Sequence, residues 1–166
     1  MAAQGLAGYA PAPAGLARGL EAVFAEIQAS RMADVPMLNS ALRVEAVSFL
    51  SWNENWLGIL VTPWFMNLML LPRGGHAWSG LTTGQTVVHA FPSGEYAFIV
   101  GQEAALGQGQ YQSCSLFSPM FDFPDQESAR ATAMAAFSHL LAGAAAQEAP
   151  ALSRRRFLLG GATSGA

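Results

Sequence analysis

WLGILVTPWFMNLMLL, residues 56–71, holds the key to the fold. The run is apolar enough to demand burial, yet Thr62, Pro63 and Asn67 interrupt it. A membrane-spanning helix needs about 20 mostly apolar residues, and a central proline beside polar neighbours suits it poorly. A single central strand fails too, because proline has no N–H to give to a ladder. Two short strands, or a strand with a bulge, meeting at Thr62–Pro63 satisfy both constraints. Trp64, Phe65 and Met66 then stand at the junction, either as core or as an apolar surface that holds another chain.

The flanking sequence extends this pattern. In LRVEAVSF, residues 42–49, Leu42, Val44, Ala46 and Ser48 share one face of a predicted strand, and Arg43, Glu45, Val47 and Phe49 the other. Asn53-Glu54-Asn55 is a turn signal, so this strand and residues 56–61 read as a hairpin. Pro72-Arg73-Gly74-Gly75 ends the long run, and residues 76–84 read as loop. Residues 85–91 and 96–100 form a second hairpin across Pro92-Ser93-Gly94. Residues 101–109 are a connection, and residues 110–117 a last strand stopped by Ser118-Pro119.

Helical spacing of Leu16, Leu20, Val23, Phe24 and Ile27 predicts a helix over 16–32, with Pro36 and Asn39 at its exit. Asp125 as N-cap opens a final helix that runs to about Ala142, where Gly143 can end it. The order is helix, strands, helix. The short turns favour antiparallel pairing. The expected fold is therefore α+β: an antiparallel sheet of five to six strands, with an N-terminal and a C-terminal helix packed on one face. Residues 16–142 form the domain. The Ala/Gly/Pro-rich residues 1–15 are expected to be disordered, and 143–166 to be a flexible linker and tail.

At 166 residues, one domain with a real core is expected. Only 11% of residues are charged, so the surface must carry unusual apolar area. The eight basic residues are all arginine, as a GC-rich coding bias would produce. Residues 1–150 hold five arginines against eleven acids, a net of −6, whereas residues 151–166 carry +3. A basic tail on an acidic body can fold back or bind a partner. No basic patch with interleaved aromatics points to nucleic acid. The single cysteine, Cys114, leaves no internal disulfide and no paired-cysteine redox or zinc motif. The N-terminus lacks the early positive charge and apolar core of a secretory signal, so a cytoplasmic location is expected.

Signatures of catalysis are sparse. His76, His89 and His139 fall on a loop, a strand and a helix, without metal-ligand spacing, so no metal site is expected. Cys114 with a distant histidine is one route to a redox or nucleophilic enzyme. In a strand such as QYQSCSLF it reads more simply as a small buried hydrophobe. No glycine-rich phosphate cradle is present, and Glu54, Glu95, Glu103 and Asp122 show no acid–base spacing. Neither catalysis nor a cofactor is expected.

Binding signals are better. Three segments combine aromatic, Met and Pro residues beside turns: TPWFMN (62–67), FPSGEY (91–96) and CSLFSPMFDF (114–123). They nominate Trp64, Phe65, Met66, Asn67, Phe91, Glu95, Tyr96, Phe117, Met120 and Asp122 as a client-binding set. Proline-broken strands leave edge backbone groups unpaired, and an extended peptide can pair with such an edge. A well-packed core explains the same residue types. The tail SRRRFLL, residues 153–159, resembles a twin-arginine export motif through Arg154, Arg155, Phe157 and Leu158. It stands at the wrong end of the chain for export. It is either an inert extension or a mimic of a segment the protein handles.

Together LVTPWFMNLMLLP, FPSGEYAFIVGQE and QYQSCSLFSPMFDF, followed by an Ala-rich helix, resemble the [NiFe]-hydrogenase assembly chaperone family of the HybE/HupJ type, over roughly Leu16 to Leu141. The resemblance implies a non-catalytic maturation factor. Its partner would be a hydrogenase subunit precursor, notably the small subunit with its twin-arginine signal, held until cofactors are in place and export is safe. Some relatives carry an appended rubredoxin domain, whose paired cysteines this chain lacks. The resemblance does not say which residues touch the client. A structural subunit of a larger assembly is the other binding reading.

Overall fold

The structure, a computed structural model, describes residues 8–74, 78–107 and 109–142. The opening run folds as two strands, β2 (Asn55–Val61) and β3 (Met66–Pro72), paired antiparallel with Val61 opposite Met66. Thr62 makes the turn between them possible. Its Oγ1 accepts from the N–H groups of Trp64 (3.2 Å) and Phe65 (2.9 Å), and its own N–H donates to Phe65 O at 2.8 Å. Pro63 contributes no donor, so this one buried hydroxyl supplies the acceptor the turn requires.

Four further strands complete the sheet: β1 (Glu45–Trp52), β4 (Thr86–Phe91), β5 (Gly94–Gln102) and β6 (Gln110–Phe117). The order is β1-β2-β3-β6-β5-β4, with every pairing antiparallel. Helices α1 (Ala14–Ser30) and α2 (Gln126–Leu141) precede and follow the sheet, so the expected α+β class, strand count and element order are borne out.

The placement of the helices differs from expectation. They pack on opposite faces of the sheet, not on one. Leu57, Ile59, Val61, Met66, Leu68 and Leu70 share a core with Ala129, Ala133, Phe137 and Leu140 of α2. Leu60, Met69 and Leu71 share a second core with Leu20 and Phe24 of α1. The reason lies in the opening run. It is apolar at both strand periods, so both faces need cover, and one helix can cover only one. The N-terminal segment also differs. Residues 10–12 lie along β1, with Ala12 N–H donating to Phe49 O (3.0 Å) and Ser51 N–H to Ala10 O (2.8 Å), and α1 begins at Ala14. The expected disorder over 1–15 therefore does not reach this stretch.

β1 carries a bulge that the alternating sequence conceals. Val47 pairs with Ile59 and Leu50 with Leu57, so Ser48 and Phe49 together face Gly58. Ser48 takes a positive φ of 59°, and Phe49 turns its ring onto Gly58. On the α2 face the sheet curls until its two edge strands meet. Trp52 of β1 stacks on Phe91 of β4 with ring centroids 4.4 Å apart, and His89 stands edge-on to Trp52 at 5.9 Å. His89 Nε2 lies 2.7 Å from Gln112 Oε1, which gives half-buried His89 and buried Gln112 a partner.

A side chain at position 58 would collide with the Phe49 ring. Gly58→Ala should therefore destabilise the fold by about 1–3 kcal/mol, as overpacking does. The check is the urea midpoint. In the Phe49→Ala background the same change should cost far less, because the clash is gone.

Candidate functional site

Two of the three Pro-aromatic segments join at one end of the sheet. Asn39 joins them. Its N–H donates to Pro63 O at 2.9 Å, and its Nδ2 donates to Met120 O (2.9 Å) and Phe123 O (2.8 Å). Ser118 Oγ adds a weaker bond to Trp64 O at 3.4 Å. Asn39 was legible only as a helix-exit residue, since a side chain that caps distant carbonyls leaves no local pattern. The third segment is the β4–β5 hairpin. There Ser93 Oγ lies 3.0 Å from the Tyr96 hydroxyl, and Ser93 N–H donates to Leu140 O at the end of α2 (3.3 Å).

Burial divides the ten nominated residues. Trp64, Met66, Phe91 and Met120 are core, with Met66 and Met120 wholly enclosed. Their nomination as client contacts is corrected: they can shape a binding surface but cannot touch a client in this conformation. Two-sided cover of the sheet encloses them. Phe65, Asn67 and Tyr96 are half-buried, and Glu95 and Asp122 are exposed. Phe117 is 40% exposed and Phe121, which sequence reasoning did not nominate, 58%. Asn67 Oδ1 is a buried acceptor without a partner among the described residues. Arg154, Arg155, Phe157 and Leu158 of the tail, and His76, lie outside the described residues.

A second apolar surface emerges that the sequence did not mark. α1 covers only part of its face. Phe24 reaches Phe65 (5.9 Å) and Tyr111 (6.2 Å), and the Tyr111 ring in turn covers Gly101 of β5. Beyond Gly101 the face is open. Thr86, Val88 and Ala90 of β4 pair with Ile99, Ala97 and Glu95 of β5, and all six side chains are exposed. Val88 is 58% and Ile99 54% exposed, large values for such residues in mid-strand. Val87 and Val88 are indistinguishable by type; only the register tells which faces outward.

The edge beside this face is also open. Residues 10–12 occupy the outer side of β1, but among the described residues β4 pairs only with β5. Val100 N–H donates to Gln85 O at 2.9 Å, which makes odd-numbered β4 residues the bonded ones in this ladder. The N–H and C=O groups of Thr86, Val88 and Ala90 therefore point outward. Backbone and side chain together offer a strand-addition site.

The charged groups serve the scaffold. Glu45 at the start of β1 receives Arg130 Nε at 2.7 Å, its second guanidinium nitrogen at 3.1 Å and Gln126 Nε2 at 2.8 Å. Gln126 Oε1 accepts from Arg43 N–H at 2.8 Å, which locks α2 to β1. Burial, the largest single influence on Glu45, pushes its carboxyl up, but the bonds from Arg130 and Gln126 together with the charges of Arg130 and Arg43 outweigh it, and the net direction is down. Asp125 caps α2 by accepting from Ser128 N–H at 2.7 Å, which lowers its carboxyl as well. Cys114 is half-buried against the α2-side core, opposite Leu68. Among the described residues no group of His, Cys, Asp or Glu could hold a metal, and no helix is long and apolar enough to cross a membrane.

Among the described residues the geometry defines an α+β domain with one strand edge covered, one open, and an apolar half-face beside the open one. The family model of the [NiFe]-hydrogenase assembly chaperone HybE matches residues 15–160, and the chain belongs to that family. It is 42% identical over 170 residues to the protein HoxT of Cupriavidus necator, covering 93% of this chain and 94% of that one. It is 43% identical over 145 residues to the hydrogenase expression/formation protein HupJ of Bradyrhizobium diazoefficiens, covering 82% and 83%. The solution structure of HybE from Escherichia coli shares the fold, with a TM-score of 0.63 at 24% identity over 80% of each chain.

Asn39→Ala removes two bonds to loop carbonyls and should cost about 1–3 kcal/mol while loosening residues 118–123. Denaturation and amide exchange of that loop check this. The Glu45 carboxyl titrates lower folded than unfolded. Its contribution is thus complete above the unfolded value, about 4.3, and fades as pH falls through the lower folded value. Glu45→Gln should narrow the stability gap to the parent as pH drops from 7 to 3, measured by urea midpoints.

Proposed function

We propose that this chain is a non-catalytic cytoplasmic chaperone that holds a [NiFe]-hydrogenase subunit precursor until cofactor insertion is complete and export is safe. The client of choice is the small subunit, held through its twin-arginine signal. Family membership supports the hydrogenase context. The observation that carries the binding mode is the outer edge of β4, unpaired among the described residues, beside exposed Val88 and Ile99.

An extended signal segment adds to β4 as a strand. Backbone bonds give it register, and alternate side chains rest on Val88, Ala97 and Ile99. Glu95 at the hairpin and Asp122 beyond β6 attract the signal's arginines through charge-assisted bonds. Each exposed pair contributes only about 0–1 kcal/mol, so apolar burial and backbone pairing dominate. Ordering a flexible segment costs about 2–5 kcal/mol, which keeps the complex reversible. Trp64, Met66, Phe91 and Met120 set the shape of the sheet from within. Phe117 and Phe121 form a second apolar rim at the end of β6 that can meet the client's next residues.

Ile99→Asp leaves the core untouched and places a charge where an apolar side chain would rest. It should weaken capture of the small-subunit precursor about 10- to 100-fold, the equivalent of one buried aliphatic side chain. Calorimetry with the precursor, with and without its signal, measures this. Full affinity in Ile99→Asp combined with loss in Phe117→Ala would move the site to the rim. Cys114→Ala should leave hydrogenase maturation unchanged; a loss of activity would revive the redox reading.

A further inference from the structure

We propose that residues Ser153–Leu159 of this same chain are the resident occupant of the β4 edge, a seventh strand lying antiparallel to β4. The inference deepens the reading above, because the tail then regulates the site that the client uses.

Four observations converge. The chain already covers its other edge with its own terminal residues: residues 10–12 lie on β1 through two backbone bonds. The β4 edge has no such cover among the described residues. α2 ends beside that edge, since Leu140 O accepts from Ser93 N–H in the β4–β5 hairpin, at 3.3 Å. Twenty-four residues, 143–166, follow α2. The eleven steps from Ala142 to Ser153 span at most about 40 Å, enough to bring the tail alongside from the hairpin end.

Entry from that end fixes the direction. β4 runs toward the hairpin, so a tail leaving the hairpin runs against it, and the new pair is antiparallel. The strand period then puts Arg155, Phe157 and Leu159 on one face. Placing Phe157 opposite Val88 sets Arg155 opposite Ala90 and Leu159 opposite Thr86. Phe157 extends the patch formed by Val88 and Ile99, the two most exposed aliphatic side chains of the sheet. Arg155 extends over the small side chain of Ala90 toward Glu95, which is paired across from Ala90 and exposed. The charge balance agrees: residues 151–166 carry +3 and residues 1–150 carry −6. The outward N–H and C=O groups of Val88 and Ala90 receive the partners that β5 cannot supply. A client must displace this strand, so the tail raises the affinity threshold and keeps the edge from pairing with unrelated chains.

The test uses full-length protein and amide exchange read at Val88 and Ala90. In the parent chain both amides should exchange at least fivefold more slowly than in the full-length variant Arg155→Glu/Phe157→Asp. A synthetic peptide of residues 151–162 added to that variant should restore protection. Arg155→Glu alone should lose part of the protection, and Glu95→Arg combined with it should regain that part. The same variant should bind the precursor's signal peptide more tightly than the parent does. Equal exchange in parent and variant overturns the proposal. So does protection that rises with protein concentration alongside a dimer mass, which would assign the edge to a second copy. The two readings fail separately. Signal peptide bound equally by parent and variant, with no tail-dependent protection, removes the tail and leaves the chaperone site. Tail-dependent protection without any peptide binding removes the client reading and leaves the tail.

Discussion

Everything in this fold depends on a hairpin buried on both faces. β2 and β3 pair through Val61 and Met66, and Thr62 closes their turn with its own hydroxyl. The proline that bars a continuous strand is what makes the hairpin. Once folded, its strands present apolar side chains upward and downward, so neither face can remain wet. The two helices follow from that demand. α2 takes one face with a ridge of small residues, Ala129 and Ala133, that admits close approach. α1 takes the other with Leu20 and Phe24.

The remaining strands inherit a different problem. A helix of 17 residues covers about 25 Å, and α1 reaches Phe65 and Tyr111 through Phe24 in its middle. β4 and β5 extend past it. Their α2-side residues, Phe91 and Phe98, are sequestered because the sheet curls and brings Trp52 onto Phe91. Their opposite side has no such cover among the described residues. Val88 and Ile99 are therefore exposed through geometry and not through composition. The scaffold charges fit the same division. Glu45, Arg130 and Gln126 fasten α2 to β1, which stands at the other end of the strand order from β4.

Much of this was legible in the residues. Pro63, the Asn53-Glu54-Asn55 turn and Pro92-Ser93-Gly94 gave the hairpins, and Asp125 gave the cap of α2. The two-sided core was not legible. A strand apolar at every position carries no period, and only a period tells which face meets which helix. The Ser48 bulge was hidden for the same reason: Ser48 fits the alternation it breaks. Residue type alone could not divide the nominated residues between core and surface. Trp, Phe and Met near turns are equally at home in a core and on a binding surface, so Met66 and Met120 could not be told from Phe117 before burial was known. Asn39 acts over more than eighty residues of chain, a distance no local pattern spans.

An open strand edge is a hazard, and the form of this one limits it. β4 has only six residues, is followed at once by Pro92, and carries Thr86 and His89 among its apolar neighbours. Each feature shortens or weakens sheet extension by an unrelated chain. Beside this edge the large exposed apolar side chains are Val88 and Ile99, enough to favour a matching extended segment but too little for permanent association. A surface built this way binds by backbone register first and side chains second. That ordering suits a partner that must be recognised by shape while immature and released intact. The rings of Trp52, Phe91 and Phe98 pack on the other face of the sheet, so the side beside the edge carries aliphatic and small side chains that an added strand can lie against.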